Sequence, residues 1–297
     1  MSNTANTTGP EAPRTVPPSA ALAGAVSAEP PARFDFLSVP FQFPKVEGKR
    51  VLVAGVGGGC DIITAYALAG QLRAGRPQAL VYANTKRSIH HGLTHLTKHI
   101  YCIPGWMRAL RFLASKRNPT RIEQRVPPGD EGGPWILHLS KHSDSRQRLA
   151  EELAEQAFEL IIAIDTGGDA VVESATSGER GTDKLMLAAL KSLGAPFLLV
   201  VAGPGCDGEA PFEDLVQAFE QLRSEGRYLG CFSLSPLMPV FAAYGASLEA
   251  IRTTNILLAA HERRLETAGQ PDTFIVPRRL KPAIPAAWLL RAFVFQQ

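Results

Sequence analysis

Three glycine-rich turns carry aspartates in this chain, and each turn directly follows an apolar run. The first is Gly-Val-Gly-Gly-Gly-Cys-Asp at residues 55–61, the second Asp-Thr-Gly-Gly-Asp at 165–169, and the third Gly-Pro-Gly-Cys-Asp-Gly-Glu at 203–209. Carboxylates accept hydrogen bonds, while glycine lets backbone N–H groups approach a ligand closely. The turns therefore predict a polar site made of acidic side chains and backbone donors.

The aspartates of these turns are candidates for general acid–base catalysis, for binding ligand hydroxyl groups, or for holding a divalent ion such as Mg²⁺. The catalytic candidates are Asp61, Asp165, Asp169 and Asp207. The ligand-binding candidates are Gly57, Gly58, Gly59, Gly167, Gly168, Glu179, Gly203, Gly205, Gly208 and Glu209. The structural alternative is that Asp61 caps the following helix and that the other aspartates satisfy N–H groups of their own turns.

Strands must precede these turns if the aspartates are to meet. The apolar runs are Val51–Ala54, Leu160–Ile164 and Phe197–Ala202, and continuous runs of this kind are typical of strands buried on both faces of a parallel sheet. Helix patterns alternate with them, which indicates βαβ units. We therefore expect an α/β fold, a Rossmann-like doubly wound, mostly parallel sheet with helices on both faces. Ligands bind beyond the carboxyl ends of such strands, so all three turns should share one edge.

The chain divides by composition into a tail and a body. Residues 1–33 are rich in Pro, Ala and Ser and carry few large apolar side chains, which predicts a disordered tail. Residues 34–297 are expected to form a single Rossmann-like domain, interrupted by a His- and Arg-rich insertion at about 85–134. The stretch 273–297 is expected to pack as a wall of strand and turn. Helices are expected at 60–73, 144–157, 183–193, 212–223 and 236–266, the last either as one helix or as two pieces around Gly245.

Bulk composition excludes several classes of protein. The net charge is only +3 and the Lys and Arg residues form no long stripe, so we expect a small-molecule ligand rather than nucleic acid. No apolar stretch approaches the ~18 residues of a membrane span, and no secretory signal is evident. The four cysteines show no C-x-x-C spacing, so a cytoplasmic, reduced protein is the expectation.

Four histidines in the insertion raise the possibility of a transition-metal site. His91, His95 and His99 stand at i, i+4 and i+8, with His90 beside them, and on a helix the three would share a face. Gly92 and poor apolar periodicity argue against that helix. Hydrogen-bonding or surface roles are therefore the preferred interpretation.

The first glycine turn also invites comparison with a dinucleotide site. It matches G-x-G-x-x-G only in part, because Cys60 stands at the third glycine position. The second strand ends at Asn84 instead of the acidic residue that binds the ribose of NAD, while Lys86 and Arg87 suit the 2′-phosphate of NADP. Asp61, however, places a negative charge where a pyrophosphate would dock. NADP therefore remains an alternative cofactor.

Taken together, the Gly-Gly-Gly-x-Asp, Asp-x-Gly-Gly-Asp and Gly-Pro-Gly-x-Asp-Gly-Glu motifs resemble those of a bacterial and archaeal family, domain of unknown function 1152. The resemblance extends over roughly residues 51–265, with a departure at Cys60, where a glycine-like residue is common. It implies a Rossmann-like α/β domain and no particular activity.

The leading hypothesis is an enzyme, a hydrolase or group transferase, that binds a small polar metabolite such as a nucleotide or nucleoside at an acidic glycine-rich site. Carboxylates and backbone donors suit hydrolysis or group transfer better than hydride transfer. The alternatives are an NADP-dependent oxidoreductase and a non-catalytic nucleotide sensor.

Overall fold

Eleven strands lie within the residues that the computed structural model describes, which are 35–89, 91–110, 118–172, 181–245, 247–266, 273–278 and 280–297. They are β1 Arg50–Gly55, β2 Ala79–Lys86, β3 Thr94–His95, β4 Ile100–Cys102, β5 Trp135–His138, β6 Leu160–Thr166, β7 Phe197–Ala202, β8 Tyr228–Ser233, β9 Thr273–Ile275, β10 Ala283–Pro285 and β11 Arg291–Gln296. The structure does not describe the predicted tail, Glu179 or His90. The predictions made for these residues are therefore not tested.

Nine of these strands form one sheet in the order β3-β4-β5-β2-β1-β6-β7-β11-β8. The five central strands, β5, β2, β1, β6 and β7, are mutually parallel. All residues of β6 and β7 are buried, which is why β7 and the first five residues of β6 are continuously apolar instead of alternating. Strands β9 and β10 form a separate antiparallel pair.

Helices connect the central strands. They are α1 Asp61–Leu72, α2 Gly105–Ala109, α3 Ser145–Ala154, α4 Thr182–Lys191, α5 Phe212–Ser224, α6 Met238–Gly245, α7 Thr253–Glu266 and α8 Ala286–Leu289. Helix α1 packs against α6, and α3 packs against α4. The chain moves from β1 to β2 through α1, and back from β5 to β6 through α3. Right-handed crossovers in opposite directions place these helices on opposite faces of the sheet. The fold is therefore α/β, of the expected Rossmann-like type.

The sheet reverses its winding between β1 and β6. From β1 the chain proceeds to β2 and β5 on one side, and then returns to β6 and β7 on the other. This is the topological switch point, where open α/β sheets form a crevice beyond the strand ends. The first glycine turn follows β1 and the second follows β6, so the connectivity brings both turns to this crevice.

The C-terminal segment differs from the expected wall of strand and turn. Strand β11 enters the main sheet between β7 and β8 and runs antiparallel to both. Phe293 and Phe295 of β11 pack on Phe219 of α5, with ring centroids 5.1 and 4.9 Å apart. The short apolar run of β11 carries no information about which strands it will pair with, so its place inside the sheet could not be read from the sequence.

The predicted insertion extends the opposite side of the sheet. Strands β3 and β4 add antiparallel to β5, and a 3₁₀ turn at Glu123–Arg125 places Glu123 in a fully buried position. The stretch 236–266 holds two helices, α6, which ends at Gly245, and α7, so the alternative of two pieces is confirmed. The other predicted helices agree with the structure to within three residues at each end. No helix in the described part of the chain combines the length and apolarity that crossing a bilayer requires.

Candidate functional site

A cavity of about 200 Å³ lies at the switch point, beyond the ends of β1, β6 and β7. Five aspartates from four separate segments line it: Asp61, Asp165, Asp169, Asp183 and Asp207. The other lining residues are Gly57, Gly58, Gly59, Cys60, Thr166, Glu209, Arg252, Thr253 and Arg278. The structure thus brings all four aspartates that were singled out in the sequence to one cavity, together with Gly57–Gly59 and Glu209.

Asp61 lies at the start of α1 and joins two of the glycine turns. The Gly57 N–H donates to its Oδ2 at 2.9 Å, and the Thr166 N–H donates to its Oδ1 at 3.1 Å. The N-cap position itself is occupied by Cys60, so the expectation that Asp61 is the N-cap is wrong. Both Asp61 oxygens instead accept hydrogen bonds from backbone N–H groups, one in the first turn and one at the end of β6, an arrangement that fixes the turn against that strand.

Asp165 braces the second turn in a similar way. Its Oδ1 accepts a hydrogen bond from the Gly168 N–H at 3.1 Å, and its Oδ2 accepts one from the Ala170 N–H at 3.0 Å. Only 2% of Asp165 is exposed. Because both oxygens are engaged by its own turn, the geometry favours a structural role for Asp165.

Three aspartates of the cavity accept fewer backbone hydrogen bonds and are available to contact a ligand. They are Asp207, Asp169 and Asp183. Asp207 Oδ1 accepts a hydrogen bond from the Glu209 N–H at 3.0 Å. Among the described residues, no hydrogen bond engages its Oδ2. Asp169 and Asp183 both line the cavity, and interaction with the Asp169 carboxylate is one cause of the raised pKa of Asp183. Neighbouring carboxyl groups disfavour each other's ionisation, which makes this pair a candidate for sharing one proton.

Burial raises the pKa of several of these carboxyl groups. Desolvation raises the pKa of Asp61 to about 7 and, together with the negative charge of Asp169, that of Asp207 to about 8. The same two causes raise the pKa of Asp183 to about 9. Burial, reinforced by neighbouring carboxylates, also holds the pKa of Asp165 well above its ordinary value. The cavity is therefore partly protonated near neutral pH and can donate protons as well as accept them.

Five of the glycines singled out in the sequence do not line the cavity. They are Gly167, Gly168, Gly203, Gly205 and Gly208. Each has positive φ and touches another side chain so closely that a Cβ could not be placed there. A Cβ on Gly203, for example, would lie 2.5 Å from Leu257 Cδ2. Their role as ligand donors is therefore not supported by the geometry. They are required by turn conformation and packing instead.

The cavity includes residues that sequence reasoning missed. Arg252 immediately precedes α7, and Arg278 lies in the loop between β9 and β10. The loop is tied to the third turn, because the Leu280 N–H donates to the Gly208 carbonyl at 3.1 Å. Neither arginine belongs to a motif, so no sequence signal indicated them. Asp183 entered the sequence analysis only as the first residue of the predicted helix at 183–193.

Asn84 and Lys86, which the sequence offered for NADP recognition, bind another part of the protein instead. Asn84 is fully buried, and its Nδ2 donates to Glu123. Lys86 Nζ lies 2.8 Å from Glu123 Oε1 in an ion pair whose side chains are 12% and 0% exposed. The insertion therefore covers the end of β2 and engages both residues. A cavity of about 200 Å³ is also smaller than the ~300–1,000 Å³ of pockets for drug-sized ligands.

The described histidines of the insertion, His91, His95 and His99, do not come together as a metal site. His95 lies in strand β3 and not on a helix, with its ring 4.5 Å from that of Tyr101. His99 Nδ1 is 2.7 Å from Glu152 Oε1, which ties the insertion to α3. Across the described part of the chain, no group of three or more His, Cys, Asp and Glu side chains is arranged to hold a metal ion.

Comparison with curated proteins found no match, and comparison with solved structures also found none. A family model described as "Protein of unknown function (DUF1152)" matches residues 90–256, which is more than half of the chain. The matched stretch contains the second and third glycine turns and ends within α7. The chain therefore belongs to the DUF1152 family.

Proposed function

We propose that the protein is an enzyme, a hydrolase or group transferase, that acts on a small polar metabolite such as a nucleotide or nucleoside. The observation that carries the proposal is the convergence of five aspartates on one cavity at the switch point. Among the described residues, none of the five pairs with a Lys or Arg. Buried carboxyl groups without cationic partners oppose folding. Groups with raised pKa cluster at active sites, so function explains the arrangement better than stability does.

The Asp169–Asp183 pair is the proposed acid–base centre. Asp183, whose pKa burial and the Asp169 charge raise to about 9, holds the proton and acts as the acid. Asp169 acts as the base: it takes a proton from water as the water oxygen attacks the substrate. Asp183 gives its proton to the departing oxygen, and the pair ends the step with one proton in total. Two carboxyl groups that share one proton are suited to this exchange.

The remaining groups of the cavity would bind and orient the substrate. Gly58 and Gly59 lie at the N-terminal end of α1, where their backbone N–H groups would meet ligand oxygen atoms, while the Gly57 N–H already donates to Asp61. Asp207 and Thr253 would contact hydroxyl groups. Asp61 and Asp165 hold the turns in place and set the shape of the cavity.

A ligand screen followed by a turnover assay tests the proposal. Thermal melting in the presence of nucleosides, nucleotides and sugars should identify compounds that stabilise the fold, since a ligand that binds only the folded state raises its stability. Each stabilising compound is then incubated with the protein and its products are measured by mass spectrometry. Asp183→Asn should lower turnover by about 10²- to 10⁴-fold, as expected for loss of a general acid, while Asp214→Asn, at an exposed position of α5, should leave it unchanged.

Stabilisation without turnover of any compound would support the alternative of a nucleotide sensor. The NADP-dependent alternative is less well supported, because Asn84 and Lys86 are engaged by Glu123. We keep a cytoplasmic location as part of the proposal. All four cysteines are free thiols, which suits a reducing compartment.

A further inference from the structure

The acidic and basic side chains of the cavity lie at different depths. Asp61, Asp165 and Asp207 are between 2% and 6% exposed and form its floor. The side chains of Arg252 and Arg278 are 35% and 25% exposed, which places them nearer the mouth. The two arginines are also close to each other, because Arg278 Nη1 donates to the carbonyl of Ile251 at 3.5 Å, the residue directly before Arg252.

The arginines make no hydrogen bond to the aspartates below them within the described residues, although the charge of Arg278 partly offsets the effect of burial on the pKa of Asp207. Arg252 Nε donates to Glu249 Oε2 at 3.0 Å, and Glu249 lies outside the cavity. Arg278 Nη2 is 3.7 Å from Glu209 Oε1, which is longer than a hydrogen bond. Within the described residues, neither guanidinium donates to any of the five aspartates. Guanidinium groups bind phosphates and carboxylates through paired N–H donors, so this part of the cavity suits an anion.

The floor suits hydroxyl groups. Asp207 is 94% buried, and among the described residues no hydrogen bond engages its Oδ2, which accepts a hydroxyl proton when the carboxyl group is ionised. The Asp169–Asp183 pair holds a proton that it can donate. A hydroxyl group can donate to the first and accept from the second.

We propose that the cavity binds a small hydroxylated compound with one anionic group, a phosphate or a carboxylate, whose hydroxyls meet the aspartates while the anion lies between Arg252 and Arg278. This inference rests on the proposed function and specifies its substrate class. The volume of about 200 Å³ accommodates a compound the size of one sugar ring with its anionic group.

Calorimetric titration with matched pairs of compounds tests the inference. The probes are ribose against ribose 5-phosphate, ribose against ribonate, and adenosine against adenosine monophosphate. An anionic member of at least one pair should bind about 10- to 100-fold more tightly than its neutral partner, the effect expected of charge-assisted hydrogen bonds. Comparison of ribose 5-phosphate with ribonate distinguishes a phosphate site from a carboxylate site.

Variants of Arg252 and Arg278 then test whether these two side chains cause the tighter binding of the anionic compound. Replacement of both by glutamine, R252Q with R278Q, should remove the preference for the anion without changing the affinity for the neutral partner. Arg146→Gln removes the same charge from an exposed position of α3 and should leave the preference intact. Both arginines are partly exposed, so the double variant is expected to fold, and its melting curve verifies this.

Equal affinity for the neutral and anionic members, or an anion preference that survives in the double variant, would overturn the inference. So would the absence of binding by every compound. If ribose and ribose 5-phosphate bind equally and both depend on Asp207, the inference fails while the proposed carboxylate site stands. If ribose 5-phosphate binds through the arginines and is never converted, the inference holds and the proposed enzymatic function fails.

Discussion

Asp61 and Thr166 are joined across the switch point by a hydrogen bond of 3.1 Å from the Thr166 N–H to Asp61 Oδ1. The second oxygen of the same carboxylate accepts the Gly57 N–H. A single side chain therefore connects the turn after β1 to the end of β6. The shape of the cavity between these strands depends on that connection.

Replacing Asp61 by asparagine should weaken this connection. The amide keeps the size of the side chain but places an NH₂ group opposite one of two backbone donors. We expect the free energy of unfolding to fall by about 1–3 kcal/mol, the cost of a buried donor without an acceptor. Urea denaturation measures the change. Asp214→Asn at an exposed site of α5 is the control and should stay within about 0.5 kcal/mol. An unchanged midpoint for the Asp61 variant would show that the carboxylate does not brace the turns.

Stability should decrease as the pH rises from 6 to 9. Burial raises the pKa values of Asp61, Asp207 and Asp183 to about 7, 8 and 9, above the 3.8 of the ordinary side chain. In this range the folded protein holds more protons than the unfolded chain, so raising the pH favours unfolding. The stabilisation is fully present below about pH 4 and is lost as the pH passes each folded-state pKa.

Calorimetric melting at pH 6, 7, 8 and 9 measures that decrease. Asp207→Asn removes one of the titrating groups and should make the decrease smaller, while Asp214→Asn should leave it as in the wild type. A melting temperature that is constant over this range would mean that the cavity carboxyl groups are ionised throughout.

The position of the cavity could be predicted from the sequence because it follows from chain connectivity. Apolar runs directly before residues 55, 165 and 203 indicated strands, and parallel strands place their following turns on one edge. The roles of the individual residues could not be predicted in the same way. Gly167 is needed because its neighbour is Asp207, some forty residues away, and the sequence does not show that contact.

Residues outside the motifs were missed for a related reason. Arg252 and Arg278 reach the cavity because α7 and the β9–β10 pair pack beside the third turn. Asp183 reaches it because α4 begins there. These placements depend on tertiary packing of helices and loops, which local patterns do not encode. The histidines of the insertion show that spacing alone can also mislead. His91, His95 and His99 stand at i, i+4 and i+8, yet none of the three lies in a helix.

Gly167→Ala should disturb both the fold and the cavity. Gly167 has φ of +134°, and a Cβ there would lie 2.7 Å from the Cβ of Asp207 and overlap its carboxylate. We expect a loss of more than about 1 kcal/mol in the free energy of unfolding. Gly70→Ala is the matched control, because Gly70 is exposed within α1 with nothing within 4 Å of the added Cβ. That variant should gain about 0.5–1 kcal/mol. Equal effects of the two substitutions would contradict the packing argument.

Glu123→Gln should destabilise the protein strongly. The carboxylate is fully buried and bonds both Lys86 and Asn84, and its loss leaves the Lys86 ammonium buried without a counter-charge. Removal of one partner from a buried ion pair typically costs about 3–5 kcal/mol. The double variant K86M with E123Q removes the stranded charge and should recover part of the loss. Chemical denaturation of the three proteins tests this, and a double variant no more stable than E123Q would contradict it.

The same contacts predict how the protein responds to dinucleotides. If the first glycine turn bound NADP in the usual way, Lys86 and Asn84 would have to release Glu123 to reach the 2′-phosphate, and the pyrophosphate would approach Asp61. Both changes are unfavourable, so we expect neither tight binding of NADP nor a preference for NADP over NAD. Calorimetric titration with NADP, NAD and an uncharged nucleoside measures this directly. Tight binding of NADP, weakened in Lys86→Met, would replace the proposed hydrolase or transferase with an oxidoreductase. If the nucleoside binds and neither dinucleotide does, the result supports the carboxylate site, because a nucleoside offers only its hydroxyl groups and its base for recognition.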